Sequence, residues 1–202
     1  MSAIQATHRL HNHLRHATED LHRKLDQHPI LAPLNRETVT AQRYQRALLA
    51  LHAISAPAEA RISHYLNTQL LPLDYAARQR TPDLVKDLEH FGLSPHEPAW
   101  DGPTIASIGA LIGCLYVQEG SALGGRIIFR RVHKDLGISA QQGGRFFSGY
   151  GRDNQSLWRE FWNFAINHSQ ESDIPEACRA ANEFFRSYLV LLGQYESSQS
   201  GK

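Results

Sequence analysis

The sequence predicts a single all-α domain, and three observations support this fold class. Apolar residues recur every three or four positions along most of the chain, which is the periodicity of an amphipathic helix. Few segments alternate apolar and polar residues with enough Val, Ile or Thr to form strands. The length of 202 residues suffices for one substantial core and is short for two. We therefore expect one domain over residues 1–196, followed by a flexible tail over residues 197–202.

The predicted helices follow from this periodicity and from proline and glycine signals at their ends. Pro29 ends the first helix, Pro57 is expected to kink or divide the second, and Gly92 follows the end of the third. A glycine-rich stretch between the fourth and fifth helices is expected to be a turn or an irregular connection. The predicted helices cover residues 10–25, 40–68, 82–91, 104–136, 155–168 and 175–195.

The overall charge, the apolar runs and the cysteines limit the classes of partner and compartment. A formal net charge of +1 argues against nucleic acid, because phosphate-binding surfaces need a large basic excess. The longest apolar run, residues 105–117, is interrupted by serine and glycine and is too short to span a membrane. Cys114 and Cys178 lie outside any CxxC motif, and we see no secretory leader. We therefore expect a cytoplasmic protein without a membrane segment.

The stretch ATEDLHRKLD, residues 17–26, carries His22 beside the apolar stripe of the first helix, with Asp26 one turn later. A neutral imidazole can bind a metal through one nitrogen when an oxygen holds its other N–H, and a carboxylate one turn away can supply that oxygen. Arg15, two turns before His22 on the same flank, could pair with an acid of the same ligand. An ordinary solvated helix flank is the alternative interpretation of this spacing.

The stretch GALIGCLYVQEGSALGG, residues 109–125, places five glycines inside a predicted helix. Each interior glycine costs about 1 kcal/mol relative to alanine, so the pattern needs a compensating reason. Close packing of another helix is one reason, and a flat ligand lying against exposed backbone is the other. Together with the single histidine, the glycines favour a planar metal-centred ligand, best matched by heme, between two helices. The residues that share this face are Gly109, Gly113, Gly120 and Gly124, with Tyr116 beside them.

These two stretches resemble the motifs of a known family. LRHATEDLH, residues 14–22, resembles the first-helix motif of heme oxygenases, and LYVQEGSALGG, residues 115–125, resembles the distal-helix motif of their bacterial members. SAPAEARI, FFSGYG and LWREF extend the resemblance over nearly the whole chain. Within the family, the chain is most similar to the bacterial biliverdin-producing type associated with bacteriophytochromes. The resemblance implies a helical domain with heme between the first helix and a kinked, glycine-rich distal helix.

The resemblance also implies roles for individual residues of this chain. His22 occupies the position of the proximal iron ligand, and Asp26 that of the acidic residue which orients the imidazole. Arg15 matches a position near the heme propionates, Arg159 is a candidate for a second propionate contact, and Tyr116 is expected near the same pocket. The distal segment, which leaves room for oxygen and screens the meso edges of the heme, comprises Gly120, Ser121, Gly124 and Gly125.

The distal segment departs from the mammalian type in one respect. Mammalian members carry an aspartate there that helps to hold a catalytic water, whereas this chain has Gln118, Glu119 and Gly120 without an aspartate in register. Glu119 is expected to point away from the heme, about 100° around the helix from Gly120. Water held by backbone carbonyls is therefore the expected proton route.

The activity that the resemblance implies is the oxidative opening of heme. Heme would be both cofactor and substrate, and molecular oxygen would convert it to biliverdin, carbon monoxide and ferrous iron. A neutral histidine ligand leaves the iron able to bind oxygen. No dinucleotide-binding fingerprint follows a predicted strand, so the electrons should come from an external donor such as ferredoxin or a reductase. A bilin-accepting phytochrome is a further implied partner.

Two other classes of protein remain open from the sequence alone. A non-catalytic heme carrier or sensor would use the same pocket, although storage would not require the room that the distal glycines leave. A related helical fold that handles small pyrimidine-like substrates through acidic and cysteine residues would bind no heme.

Overall fold

The computed structural model describes residues 3–36, 38–98 and 100–197. In these ranges the regular secondary structure consists of helices, without a strand. Pairing of the β type in these ranges is limited to isolated bridges around Ser139, so the predicted all-α fold class is confirmed. The predicted flexible tail, residues 197–202, lies outside the described residues except for Ser197, which ends the last helix. None of the helices in the described ranges is long and apolar enough to cross a lipid bilayer.

The described ranges form eight α-helices joined by loops and by three single-turn 3₁₀ segments. The 3₁₀ segments are Ala76–Arg78, Gly151–Asp153 and Glu171–Asp173. The α-helices are α1 (Ala3–Asp26), α2 (Ala32–Arg36), α3 (Ala41–Thr68), α4 (Thr81–His90), α5 (Ile108–Leu136), α6 (Arg145–Ser148), α7 (Asn154–His168) and α8 (Ile174–Ser197).

Capping residues set the ends of the two longest helices. The Thr40 hydroxyl accepts a hydrogen bond from the Arg43 backbone N–H at the start of α3, and Ser107 does the same for Ala110 at the start of α5. Gly137 ends α5 with a φ of 68°, a left-handed conformation that suits glycine. Helix α5 therefore begins at its Ser107 cap, later than the predicted start at residue 104.

Pro57 lies inside α3, which runs on through it, so of the two predicted outcomes, a kink or a division, the division does not occur. An interior proline costs about 3 kcal/mol, because it removes a backbone hydrogen bond and crowds the preceding turn. The neighbouring Ile54, Ala58 and Ile62 are fully buried in the core. Packing around the helix therefore outweighs the cost of the proline.

Helices α2 and α6 were not predicted. Each is a single turn of APLNR or RFFS, which is too short to show an apolar period. Their place in the fold matters, because α2 contacts α5 and α6 packs against both α4 and α5.

The first half of α5 packs closely against α8 and the turn before it. A Cβ atom at Gly113 would lie 2.3 Å from the carbonyl oxygen of Ala177, and one at Gly109 would lie 2.9 Å from that of Asp173. No side chain fits in either place, so close backbone packing explains these two glycines.

Candidate active site

A cavity of about 610 Å³ lies among the helices, and residues of α1, α2, α3, α5, α6, α7 and α8 line it. This volume falls within the range of roughly 300–1,000 Å³ that is typical of small-molecule and cofactor sites. Apolar side chains make up most of the wall, among them Leu25, Leu31, Leu51, Val117, Ile128 and Phe185.

Helix α1 contributes His22 and Asp26 to the cavity, as the sequence predicted for two residues one turn apart. Nδ1 of His22 lies 3.1 Å from Oδ2 of Asp26, and the ring packs edge-on against Phe185 at 5.9 Å between centroids. A carboxylate that accepts the Nδ1 proton leaves Nε2 with its lone pair, the form of imidazole that binds metals. The His22 side chain is 62% exposed, so it is accessible to a ligand.

Helix α5 contributes exposed backbone to the cavity. A Cβ atom added at Gly120 or Gly124 would meet no other atom within 4 Å, and both residues line the cavity. Gly125 also lines it, but its Cβ position lies 3.2 Å from the Phe147 carbonyl oxygen. The glycines of α5 therefore divide into those that pack against neighbouring backbone and two, Gly120 and Gly124, that leave open space.

Ser121 lines the cavity between these glycines and makes two hydrogen bonds. Its hydroxyl donates to the Gln118 carbonyl oxygen at 2.7 Å and accepts from Nη1 of Arg80 at 3.1 Å. Nη2 of Arg80 donates to the carbonyl oxygen of Phe146, which also lines the cavity. A residue just before α4 thus contacts two parts of the cavity wall.

Glu119 lies on another side of α5 and forms a buried ion pair. Its carboxylate lies 3.0 Å from Nη1 of Arg78, with both side chains 2% exposed. Burial raises the pKa of Glu119, and the neighbouring guanidinium opposes that rise. Glu119 does not line the cavity, in agreement with the expected orientation away from the glycine face.

Tyr116 packs against other aromatic side chains at another part of the cavity. Tyr116 and Trp158 both line it, with 6.3 Å between their ring centroids. Burial raises the pKa of the Tyr116 hydroxyl, while a hydrogen bond with Thr18 and the charge of Arg15 act in the opposite direction.

The two arginines predicted to contact propionates are exposed, and neither Arg15 nor Arg159 is among the residues that line the cavity. Their roles therefore stay predictions. The structure instead brings Arg36 of α2 to the cavity wall, together with Asn35. No sequence signal singled out these two residues, because α2 is too short to show a helical period.

Comparison with known proteins gives one curated relative by sequence. The chain is 35% identical over 105 residues to a protein named heme oxygenase from Xanthomonas campestris pv. campestris (strain 8004). This match spans 52% of the chain and 62% of the relative, which is less than two thirds of the relative's length. No protein-family model matches the chain.

Solved structures of similar fold cover nearly all of the chain. The heme oxygenase of Neisseria meningitidis, in its NO- and CO-bound forms, superposes with a TM-score of 0.78 at 22% identity, over 92% of this chain and 91% of that one. The heme oxygenase of Leptospira interrogans gives a TM-score of 0.74 at 15% identity, over 92% and 98% of the two chains. Heme oxygenase-1 of the cyanobacterium Synechocystis, in complex with heme, gives 0.68 at 14% identity, over 94% and 93%.

These structures establish the fold, and the Xanthomonas relative adds similarity in sequence. The motifs around His22 and Gly120 resemble those of the same proteins. The chain has the heme oxygenase fold.

Proposed function

We propose that the chain is a heme oxygenase that uses molecular oxygen to cleave heme into biliverdin, carbon monoxide and ferrous iron. The observation that carries this proposal is one cavity that combines the His22–Asp26 pair with the exposed backbone of Gly120 and Gly124. The first feature suits an iron ligand, and the second leaves room for a small reactant next to a flat ligand.

The residues of the cavity fit heme. A porphyrin is large, flat and mostly apolar, and the cavity is about 610 Å³ with a largely apolar wall. His22 is the histidine of that wall, and its Nε2 is the nitrogen left for iron once Asp26 holds Nδ1. Arg36 in the wall, and Arg15 close enough to act on Tyr116, are the cations that support binding of the heme carboxylates.

The protein's own contribution to the reaction is positioning. When bound, heme supplies the iron that binds oxygen and the meso carbon that is oxidised. Asp26 fixes the tautomer and the orientation of His22, so that Nε2 is the ligand atom. Gly120 and Gly124 leave space free of side chains, and the apolar wall limits the water that can enter. Two hydrogen bonds hold the hydroxyl group of Ser121 in a fixed orientation at the cavity wall.

The partners and compartment are further parts of this proposal. Electrons would come from a separate protein such as ferredoxin or a reductase, as the missing dinucleotide fingerprint indicates. A cytoplasmic location accords with two free cysteines, Cys114 and Cys178. Delivery of the product to a bilin-accepting phytochrome rests on the sequence resemblance alone.

Single turnover with heme tests the proposed activity. The protein is mixed with hemin, ferredoxin, ferredoxin reductase and NADPH in air, with catalase added to remove free peroxide. We expect loss of the Soret band, growth of a bilin absorbance and release of carbon monoxide. A stable reduced or oxygenated heme spectrum would instead identify a carrier or sensor. Chromatography of the bilin then shows which meso carbon is cleaved.

The Asp26→Ala substitution should lower turnover by about 10- to 100-fold, because the imidazole loses the carboxylate that orients it. Its thermal stability should change little, since Asp26 is 52% exposed and the pair is a surface contact. Asp20→Ala is the matched control, because Asp20 lies on the same helix, pairs with Arg23 and is absent from the cavity wall. Equal rates in the two variants would contradict the orienting role.

A further inference from the structure

Arg80 is a buried cation that lies behind the cavity wall. It is only 4% exposed and immediately precedes α4. Burial lowers its pKa, and nearby tyrosines and carboxylates oppose that change. Arginine nevertheless stays protonated at neutral pH, because a guanidinium group does not lose its proton in proteins under ordinary conditions. The fold therefore keeps a permanent positive charge at this place.

The polar contacts of the Arg80 guanidinium are with residues that line the cavity. Nη1 donates to the Ser121 hydroxyl at 3.1 Å, and Nη2 donates to the Phe146 carbonyl oxygen. The guanidinium carbon also lies 4.0 Å from the centroid of the Phe146 ring. Arg80 thus ties α5 to α6 at the wall.

The carboxylates nearest to Arg80 have other partners. Glu119 pairs with Arg78 at 3.0 Å. Glu59 accepts hydrogen bonds from the backbone N–H groups of Arg80 and Thr81, at 2.8 Å for the first. In the part of the chain that the structure describes, no carboxylate forms an ion pair with the Arg80 guanidinium. Carboxylates therefore balance the charge of Arg80 only at longer range, without direct contact. The guanidinium contributes positive potential to the cavity wall.

The hydrogen bonds of Ser121 determine the remaining hydrogen-bonding capacity of its hydroxyl group. A hydroxyl group has one proton and two lone pairs. The proton is donated to Gln118, and Arg80 occupies one lone pair. The remaining lone pair can only accept, so a water molecule in the cavity would donate one proton to Ser121. That water would keep its other proton for a neighbouring ligand.

We infer that Arg80 is a positioning residue of the candidate active site: it holds the Ser121 hydroxyl as a hydrogen-bond acceptor and places a positive charge behind the cavity wall. This inference rests on the proposed function, since it concerns the same cavity with heme bound. It predicts that Arg80 stabilises negative charge that develops in the cavity, and that part of its effect passes through Ser121.

The acid–alkaline transition in the visible spectrum of the ferric heme complex measures this charge effect without turnover. Removing a nearby cation disfavours the anionic, alkaline form, so Arg80→Met should raise the midpoint pH by at least about half a unit. Arg80→Lys keeps the charge and should stay closer to the wild-type midpoint. Arg78→Lys is the matched control, a buried arginine that contacts Glu119 rather than Ser121, and it should leave the midpoint unchanged. A folded Arg80→Met variant with the wild-type midpoint would overturn the charge role.

A double-mutant cycle keeps the inference testable if Arg80→Met fails to fold. Arg80→Lys and Ser121→Ala are combined, and both the midpoint and the rate of single turnover are measured. If Arg80 acts through Ser121, Arg80→Lys should change the rate less in the Ser121→Ala background than in the wild type. Fully additive effects would overturn the link. Absence of bilin in the wild type, with the expected midpoint shifts still present, would refute the proposed activity and leave the role of Arg80 intact.

Discussion

Replacing His22 with alanine is expected to abolish bilin formation while leaving the fold intact. His22 is the histidine among the described residues that line the cavity, and it is 62% exposed, so little packing is lost. The largely apolar wall should still hold some heme, but without the proximal nitrogen. Optical and electron paramagnetic resonance spectra of the ferric complex should therefore lose the signature of axial imidazole.

The control for this prediction is the same substitution at another exposed histidine of α1. His16→Ala should keep the wild-type spectrum and rate, because His16 does not line the cavity. Free imidazole should restore the spectrum of His22→Ala by entering the space that the side chain vacated. A wild-type heme spectrum in His22→Ala would contradict the assignment of His22 as the iron ligand. The protein would then bind heme elsewhere or not at all.

Gly113→Ala is expected to cost about 3 kcal/mol of the free energy of unfolding. The new methyl group would lie 2.3 Å from the Ala177 carbonyl oxygen and 2.9 Å from the Ala181 backbone nitrogen. Both are backbone atoms of α8, so the strain can be relieved only by separating two long helices. Urea unfolding followed by circular dichroism measures the loss, and an unchanged midpoint would show that α5 and α8 do not pack as described.

Gly120→Ala is the matched substitution on the same helix, and it should have the opposite effects. No protein atom lies within 4 Å of the added Cβ, so the gain in helix propensity, up to about 1 kcal/mol, should appear as increased stability. The methyl group would occupy the space next to the bound ligand, so turnover should fall. A stable variant with impaired turnover would separate the two kinds of glycine in α5.

The long helices and the His22–Asp26 pair could be predicted because both depend on local spacing. Apolar periods of three and four residues located α1, α3, α5, α7 and α8, and residues one turn apart on a helix are neighbours wherever the helix lies. The pattern of glycines marked α5 as unusual. Spacing alone could not tell which glycines meet α8 and which face the cavity, because that depends on where the partner helix ends.

The contacts of Arg80 could not be predicted from the sequence. Arg80 and Ser121 are 41 residues apart, and Arg80 and Phe146 are 66 apart. Arg80 precedes a short helix, where a charged residue is ordinarily solvent-exposed. Arg80 contacts Ser121 and Phe146 because the tertiary structure brings α5 and α6 to the start of α4. Arg36 could not be predicted as a cavity residue for a different reason, since α2 has too few residues to show a helical period.

Some glycines of α5 pack against α8 and others face the cavity, so stability and selectivity can be engineered independently on one helix. Gly113 is held by α8, whereas Gly120 and Gly124, two and three turns further on, meet no neighbouring side chain. A library that varies only positions 120 and 124 could therefore be screened for a changed bilin isomer without a large loss of folded protein. Variation at position 113 would mostly yield unfolded clones.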